Sequence, residues 1–159
     1  MPPPQKEHEW LQQLVGEWTS EWEASMPDST PVKFHGTESV RAIGGFWVLA
    51  EGTNTMPDML APMLSELTLG YDPAKGKYVG TWVDSMTSYL WTYQGSVDEA
   101  GKVLTLDTEG PCPMKGGQMT KFKEVLEIKS KDEKVFTSSI QEDNGAWTKM
   151  LTIDYKRKK

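Results

Sequence analysis

The chain is poor in the residues that metal and redox chemistry draws on: one cysteine, Cys112, and two histidines, His8 and His35, in 159 residues. A lone cysteine excludes an internal disulfide and fits a reducing compartment, so a cytoplasmic protein is expected. Metal sites gather several His, Cys or carboxylate ligands, and no such gathering exists in the sequence; neither metal nor cofactor is expected. Cationic charge is also short. Lys and Arg number 17 against 23 Asp and Glu, and the net charge of −6 opposes nucleic acid and anionic membranes. The basic ending Tyr155-Lys156-Arg157-Lys158-Lys159 is too brief to reverse that balance. No apolar run is long enough to span a bilayer, and the opening Met1-Pro2-Pro3-Pro4 lacks the apolar centre of a secretory signal. Nucleophile elbow, phosphate loop and nucleotide fingerprint are all missing. So are long helical periodicities, and without crossover helices a parallel sheet is excluded.

Aromatic side chains are plentiful: seven Trp, five Tyr and four Phe. They supply bulk to a chain whose dominant pattern is alternation. Trp10, Leu11 and Leu14 share one face of a short helix, and Trp18, Ser20, Trp22, Ala24 and Met26 then alternate with polar neighbours. Gly16 stands between the two patterns, where the backbone must turn. A helix, a glycine corner and a tryptophan leading into the first strand describe the closed end of a barrel. The length suits a single domain over residues 1–159.

After a turn at Pro27–Pro31, alternating segments at 32–43 and 46–55 flank Gly44-Gly45, a two-residue hairpin signal. That loop sets Ile43 opposite Phe46 and Glu38 opposite Glu51. One face of the hairpin then carries Phe34, Gly36, Glu38, Val40, Ala42, Trp47, Leu49 and Glu51. Further strands are predicted at 63–71, 77–84, 88–95, 103–109, 119–129, 135–142 and 147–155. An even-length loop in the 77–95 hairpin places Gly80, Trp82 and Asp84 on one face with Tyr89, Trp91 and Tyr93, a register that aromatic pairing favours. The expected fold is all-β: an up-and-down antiparallel β-barrel of about ten strands with a short N-terminal helix capping one end. An open sandwich is the alternative.

Glu38 and Glu51, if opposed in an apolar interior, would repel, and one would keep a proton. Such a pair could do acid/base work, bind a cation, or receive a ligand's hydroxyl or amine. In the other reading, one or both face water or pair with Arg41. Trp22, Trp47, Trp82, Tyr89, Trp91 and Tyr93 are the candidate aromatic lining, with Gly36, Gly52, Gly70 and Gly80 leaving room beside them. His8 is expected on an exposed lid helix and His35 on the outer face. Met56, Met59 and Met63 read as a pliable apolar flap over the mouth, and Cys112 has no neighbour in sequence to activate it.

Residues 7–22 (EHEWLQQLVGEWTSEW), 38–52 (ESVRAIGGFWVLAEG), 68–82 (TLGYDPAKGKYVGTW), 90–95 (LWTYQG) and 102–110 (KVLTLDTEG) resemble the bacterial domain-of-unknown-function family numbered 1579. Its members resemble the calycin group of lipocalins, fatty-acid-binding proteins and haem-binding nitrobindins. The lipocalin glycine-any-tryptophan opening is matched by Gly16-Glu17-Trp18. The basic residue that packs over that indole is matched by Arg157 or Lys156. Nitrobindin-like haem binding would need an axial histidine from the far part of the barrel, and none follows His35. The resemblance implies a cavity for a small, largely apolar molecule.

Three functions are therefore open. The first is a binding barrel whose partner is a small apolar or amphipathic ligand, held by Trp22, Glu38, Trp47, Glu51, Trp82, Tyr89, Trp91 and Tyr93, with Arg41 as a further polar contact. The second is an enzyme using the carboxylate pair. The third is an interaction module, with a homodimer as one form of it.

Overall fold

The computed structural model describes residues 2–24 and 30–159, with the side chain of Ala24 excepted. The expected run of the first strand to Met26 and most of the turn after it lie outside the described residues.

A seven-residue helix, α1 (Lys6–Gln12), precedes ten strands: β1 (Gly16–Ala24), β2 (Val32–Ile43), β3 (Trp47–Thr55), β4 (Met63–Asp72), β5 (Lys77–Asp84), β6 (Trp91–Val97), β7 (Val103–Cys112), β8 (Gln118–Ser130), β9 (Glu133–Gln141) and β10 (Trp147–Arg157). Each strand pairs antiparallel with the next, and β1 pairs with β10, so the sheet closes. Closure excludes the sandwich and removes free sheet edges along the paired length. The closing seam is short: four residues of β1, Trp18 to Glu21, meet Arg157 to Asp154.

The end of the barrel nearest α1 is sealed by packing and hydrogen bonds together. Gly16 has φ +140°, a region that disfavours side chains, and a Cβ there would strike the Arg157 guanidinium. Trp18 is buried below the helix and its indole N–H donates to the Leu14 carbonyl at 2.9 Å. Arg157 lies over the same ring, 4.2 Å from its centroid, and donates to the carbonyls of Val15, Gln13 and Lys131. The expected basic residue over the indole is therefore Arg157. Leu11 and Leu14 are buried beneath the helix, and Trp10 donates to the Gly101 carbonyl at 2.6 Å, tying α1 to the β6–β7 turn.

His8 departs from expectation. It is buried, because it shares the inward side of α1 with Leu11, three residues on. Its Nδ1 accepts from the Gln5 amide at 2.9 Å, so Nε2 carries the proton and donates to the Tyr71 carbonyl at 3.0 Å. Phe46 and Tyr71 meet the imidazole edge-on.

The β2–β3 hairpin departs by one residue. Gly44, Gly45 and Phe46 all lie in the loop, Ile43 pairs with Trp47, and Glu38 faces Gly52 while Glu51 faces Ser39. Phe46 leaves the ladder to pack against His8, and that contact lengthens the loop. Since side chains alternate, a slip of one residue turns every β3 side chain over. Val48, Ala50, Gly52 and Asn54 face the interior; Trp47, Leu49 and Glu51 face out. The β5–β6 hairpin follows the even register, with Trp82 opposite Trp91 and Gly80 opposite Tyr93.

Candidate binding chamber

Ten strands enclose a wider interior than the eight of a barrel just filled by side chains, and here the interior is divided into two adjoining chambers. The lower, about 60 Å³, is walled by Leu14, Val40, Val48, Ala50, Leu69 and Leu104 among others. The upper, about 180 Å³, opens towards the end opposite α1 and is lined by Trp22, Asn54, Met63, Ser65 and Ser138 among others. Glu38, Trp82, Tyr93, Glu124, Phe136, Ile153 and Tyr155 border both, so the two spaces adjoin.

Strand alternation explains this lining. On β8 the inward positions run Thr120, Phe122, Glu124, Leu126, and on β9 Lys134, Phe136, Ser138, Ile140; register sets Glu124 against Ser138 and Leu126 against Phe136. One carboxyl and one amine thus enter an interior whose neighbours are mostly apolar.

The amine is paired. Lys134 Nζ lies 2.5 Å from Glu38 Oε1, with the lysine side chain buried and the glutamate partly so. The ammonium also sits over the rings of Trp18, at 4.4 Å, and Tyr155, at 4.8 Å. Burial pulls the Lys134 pKa below its ordinary value, while the Glu38 carboxylate works in the opposite direction. Burial, with Glu38 adding to it, pushes the Tyr155 hydroxyl up, so Tyr155 stays neutral at physiological pH.

The second carboxyl has no such partner. Glu124 is 8 % exposed. Ser138 Oγ donates to its Oε1 at 3.0 Å, and its Oε2 is buried without a hydrogen-bond partner. Desolvation pushes its pKa up to about 7, against a smaller downward pull from Ser138. Glu124 therefore changes charge near neutrality inside the chamber. Burial first, then the nearby Glu124 and Asp84, push the Tyr93 hydroxyl well above its ordinary value. Asp84 is engaged elsewhere, accepting from the Trp82 indole N–H and the Met86 amide.

The expected site residues divide into three groups. Glu38, Trp82 and Tyr93 border both chambers, and Trp22 lines the upper one, stacked on Phe34 at 3.9 Å. Trp91 and Tyr89 pack beside the chambers instead of lining them. Trp91 lies over Gly110, where a Cβ would meet its ring, and meets Phe122 and Tyr89 edge-on; Tyr89 donates to the Glu109 carbonyl. Trp47 and Glu51 are outside the barrel, as the slipped register dictates. The Trp47 indole covers Gly70, and Glu51 sits 3.7 Å from Arg41 on the surface. The Glu38–Glu51 pair does not form.

Of the glycines expected to make room, Gly52 borders the upper chamber, while Gly70 faces out and seats Trp47. His35 is exposed beside Glu21, as expected. Among the described residues no group of three or more His, Cys, Asp or Glu could hold a metal ion. Met63 lines the upper chamber, whereas Met114 and Met119 are exposed and Cys112 is buried beside Phe122 and Ile140.

Glu124, Lys134, Ser138 and Tyr155 were not singled out from the sequence. Their signal was there: a carboxylate in phase with Phe122 and Leu126, and a lysine in phase with Phe136 and Ile140, are charges at inward positions.

Fold and chamber together define a closed ten-strand antiparallel barrel with a mostly apolar interior carrying a few polar groups. The model of the family described as "Protein of unknown function (DUF1579)" matches residues 3–157, and the chain belongs to that family. Among solved structures it is similar to Rv2717c from M. tuberculosis, with a TM-score of 0.66 and 14% identity over 99% of this chain and 100% of that one. It is also similar to the S-type phycobiliprotein lyase CPES from Guillardia theta, with a TM-score of 0.59 and 13% identity over 98% and 99%. At such identities the likeness is one of fold. No curated protein matches the chain. No helix among the described residues is long and apolar enough to cross a membrane.

Proposed function

We propose that the barrel binds a small amphipathic molecule in the two-part chamber, with its apolar part among Leu69, Leu104 and Phe136 and its polar part near Glu124. The observation that carries this reading is a pair of adjoining interior chambers, mostly apolar but bordered by Glu38, Glu124 and Lys134, the upper one open at the end away from α1. Covering apolar ligand surface and releasing confined water would drive association. Drug-sized pockets run to roughly 300–1,000 Å³, so chambers of about 60 and 180 Å³ favour a compact ligand. A cytoplasmic setting is part of the proposal, supported by a lone cysteine that is buried and free.

The test is direct. Protein purified natively should carry a small molecule detectable by mass spectrometry, and the fluorescence of Trp82 should respond when an apolar probe is added. Ala50→Leu, which fills the lower chamber, should weaken probe binding without unfolding the barrel. Empty protein with no fluorescence response to apolar probes would refute the reading.

A second reading, catalysis in the same chamber, is favoured by one observation: Glu124 titrates near neutrality, where a general acid or base works best. Its carboxylate neighbour in the chamber is Glu38, not Glu51. A bell-shaped activity profile abolished by Glu124→Gln in a folded protein would distinguish the enzyme from the binder.

A further inference from the structure

The chamber holds two carboxyl groups in unequal circumstances. Glu38 is matched by the ammonium of Lys134, which lies between that carboxylate and the faces of Trp18 and Tyr155. Glu124 borders the same space as the aromatic rings of Trp82, Tyr93, Phe136 and Tyr155. Its one hydrogen bond is to Ser138, Oε2 has no partner, and no salt bridge among the described residues reaches it. A carboxylate among aromatic rings is what holds an ammonium elsewhere in this barrel, and here the ammonium is missing.

We propose that the ligand is an organic amine: an apolar chain or ring ending in a protonated nitrogen, with the nitrogen placed against the Glu124 carboxyl group and the apolar part running past Leu69 and Leu106. This rests on the binding reading above and names the ligand class for that site. The carboxyl is already desolvated in the empty barrel, so the incoming cation meets a partner that needs little further loss of water. Aromatic faces add attraction for a cation and none for an anion. An alcohol of the same shape would gain one hydrogen bond to the carboxylate without a charge to pair it, and a carboxylate would face Glu38 and Glu124 with Lys134 already committed.

The pH dependence follows from the groups around the site. β5 contributes Asp84, held by Trp82 and Met86; β6 contributes Tyr93; β2 and β9 contribute the Glu38–Lys134 pair; β10 contributes Tyr155; and the facing β7 positions, Leu104 and Leu106, are apolar. Burial keeps both tyrosines neutral through the physiological range. Glu124 must then lose its proton for an ammonium to bind, so affinity rises with pH until that carboxyl is ionised and stays level until the amine itself deprotonates.

The experiment compares hexylamine, 1-hexanol and hexanoate, three probes of one chain length, by calorimetry and tryptophan fluorescence from pH 5 to pH 8. Hexylamine is expected to bind about tenfold more tightly than hexanol at pH 8, with most of that preference gone at pH 5. At pH 6 its binding should release protons to the buffer. Glu124→Gln should erase the preference for hexylamine over hexanol; the wild-type pH profile and proton release decide the matter even if that variant does not fold. Hexanol or hexanoate binding as tightly as hexylamine at pH 8 would overturn the amine assignment and leave the binding barrel standing. Binding of none of the three would overturn both.

Discussion

Replacing Glu124 by Gln should stabilise the protein, and only at neutral or higher pH. The folded carboxyl has its pKa pushed up to about 7 from an ordinary 4.5. Below pH 4.5 the group is protonated whether the chain is folded or not, and contributes no difference. Between the two values the unfolded chain sheds its proton while the folded one holds it, so native stability falls as pH rises. Above about pH 7 the loss is complete. At about 1.4 kcal/mol per tenfold change, the gap corresponds to about 3 kcal/mol. Glutamine keeps the shape and the acceptor for Ser138 while removing the ionisation. The variant should therefore exceed wild type by up to about 3 kcal/mol at pH 8, or roughly 6–12 °C in melting temperature for a chain of this size. The difference should shrink to less than about 1 kcal/mol at pH 5. Urea titrations of both proteins at each pH check this, and the subtraction cancels titrations common to the two. A difference of the same size at pH 5 and pH 8, or a loss of stability at pH 8, would refute the account of Glu124 as a desolvated, unpartnered acid.

Lys134→Met strands the buried Glu38 carboxylate and should cost about 3–5 kcal/mol, while the double change Lys134→Met with Glu38→Leu should recover most of that; a double-mutant cycle by urea unfolding measures it. Arg157→Met removes the guanidinium that binds three carbonyl groups and covers Trp18, and should cost about 2–4 kcal/mol. Arg157→Lys should restore little, because an ammonium cannot match the planar fork. Gly95→Ala would drive a Cβ into the Thr105 carbonyl oxygen and should lower stability by about 3 kcal/mol or more. Gly76→Ala, at φ +63° with open space around it, should cost only about 1 kcal/mol. Matching losses at Gly95 and Gly76 in thermal melts would contradict the close approach of β6 and β7.

The β-barrel was readable from alternation and turn residues because both are local. Trp18, Ser20 and Trp22 face inward as their period requires, and Gly16-Glu17-Trp18 with Arg157 marked the sealed end. The even register of the 77–95 hairpin followed from matching Trp82 to Trp91. The β2–β3 register did not follow, because Phe46 is drawn out of the ladder by His8, a residue 38 positions earlier on another element. One extra loop residue carried Trp47 and Glu51 to the outside and removed half of the expected carboxylate pair. His8 itself read as exposed because its two hydrogen bonds are to backbone groups that the sequence pattern does not display.

By itself the sequence determined the class of the fold and the approximate number of strands, since these depend on periodicity and turn chemistry within short windows, while the basic residue over Trp18 followed from the family resemblance, which left Arg157 and Lys156 open. Only the tertiary structure decided which carboxyl groups meet inside. Glu38 finds Lys134 three strands away across the closing seam, 96 residues along the chain, and Glu124 finds Ser138. Whether a buried charge is matched or left wanting depends on groups brought together by closure, and no local pattern contains that information.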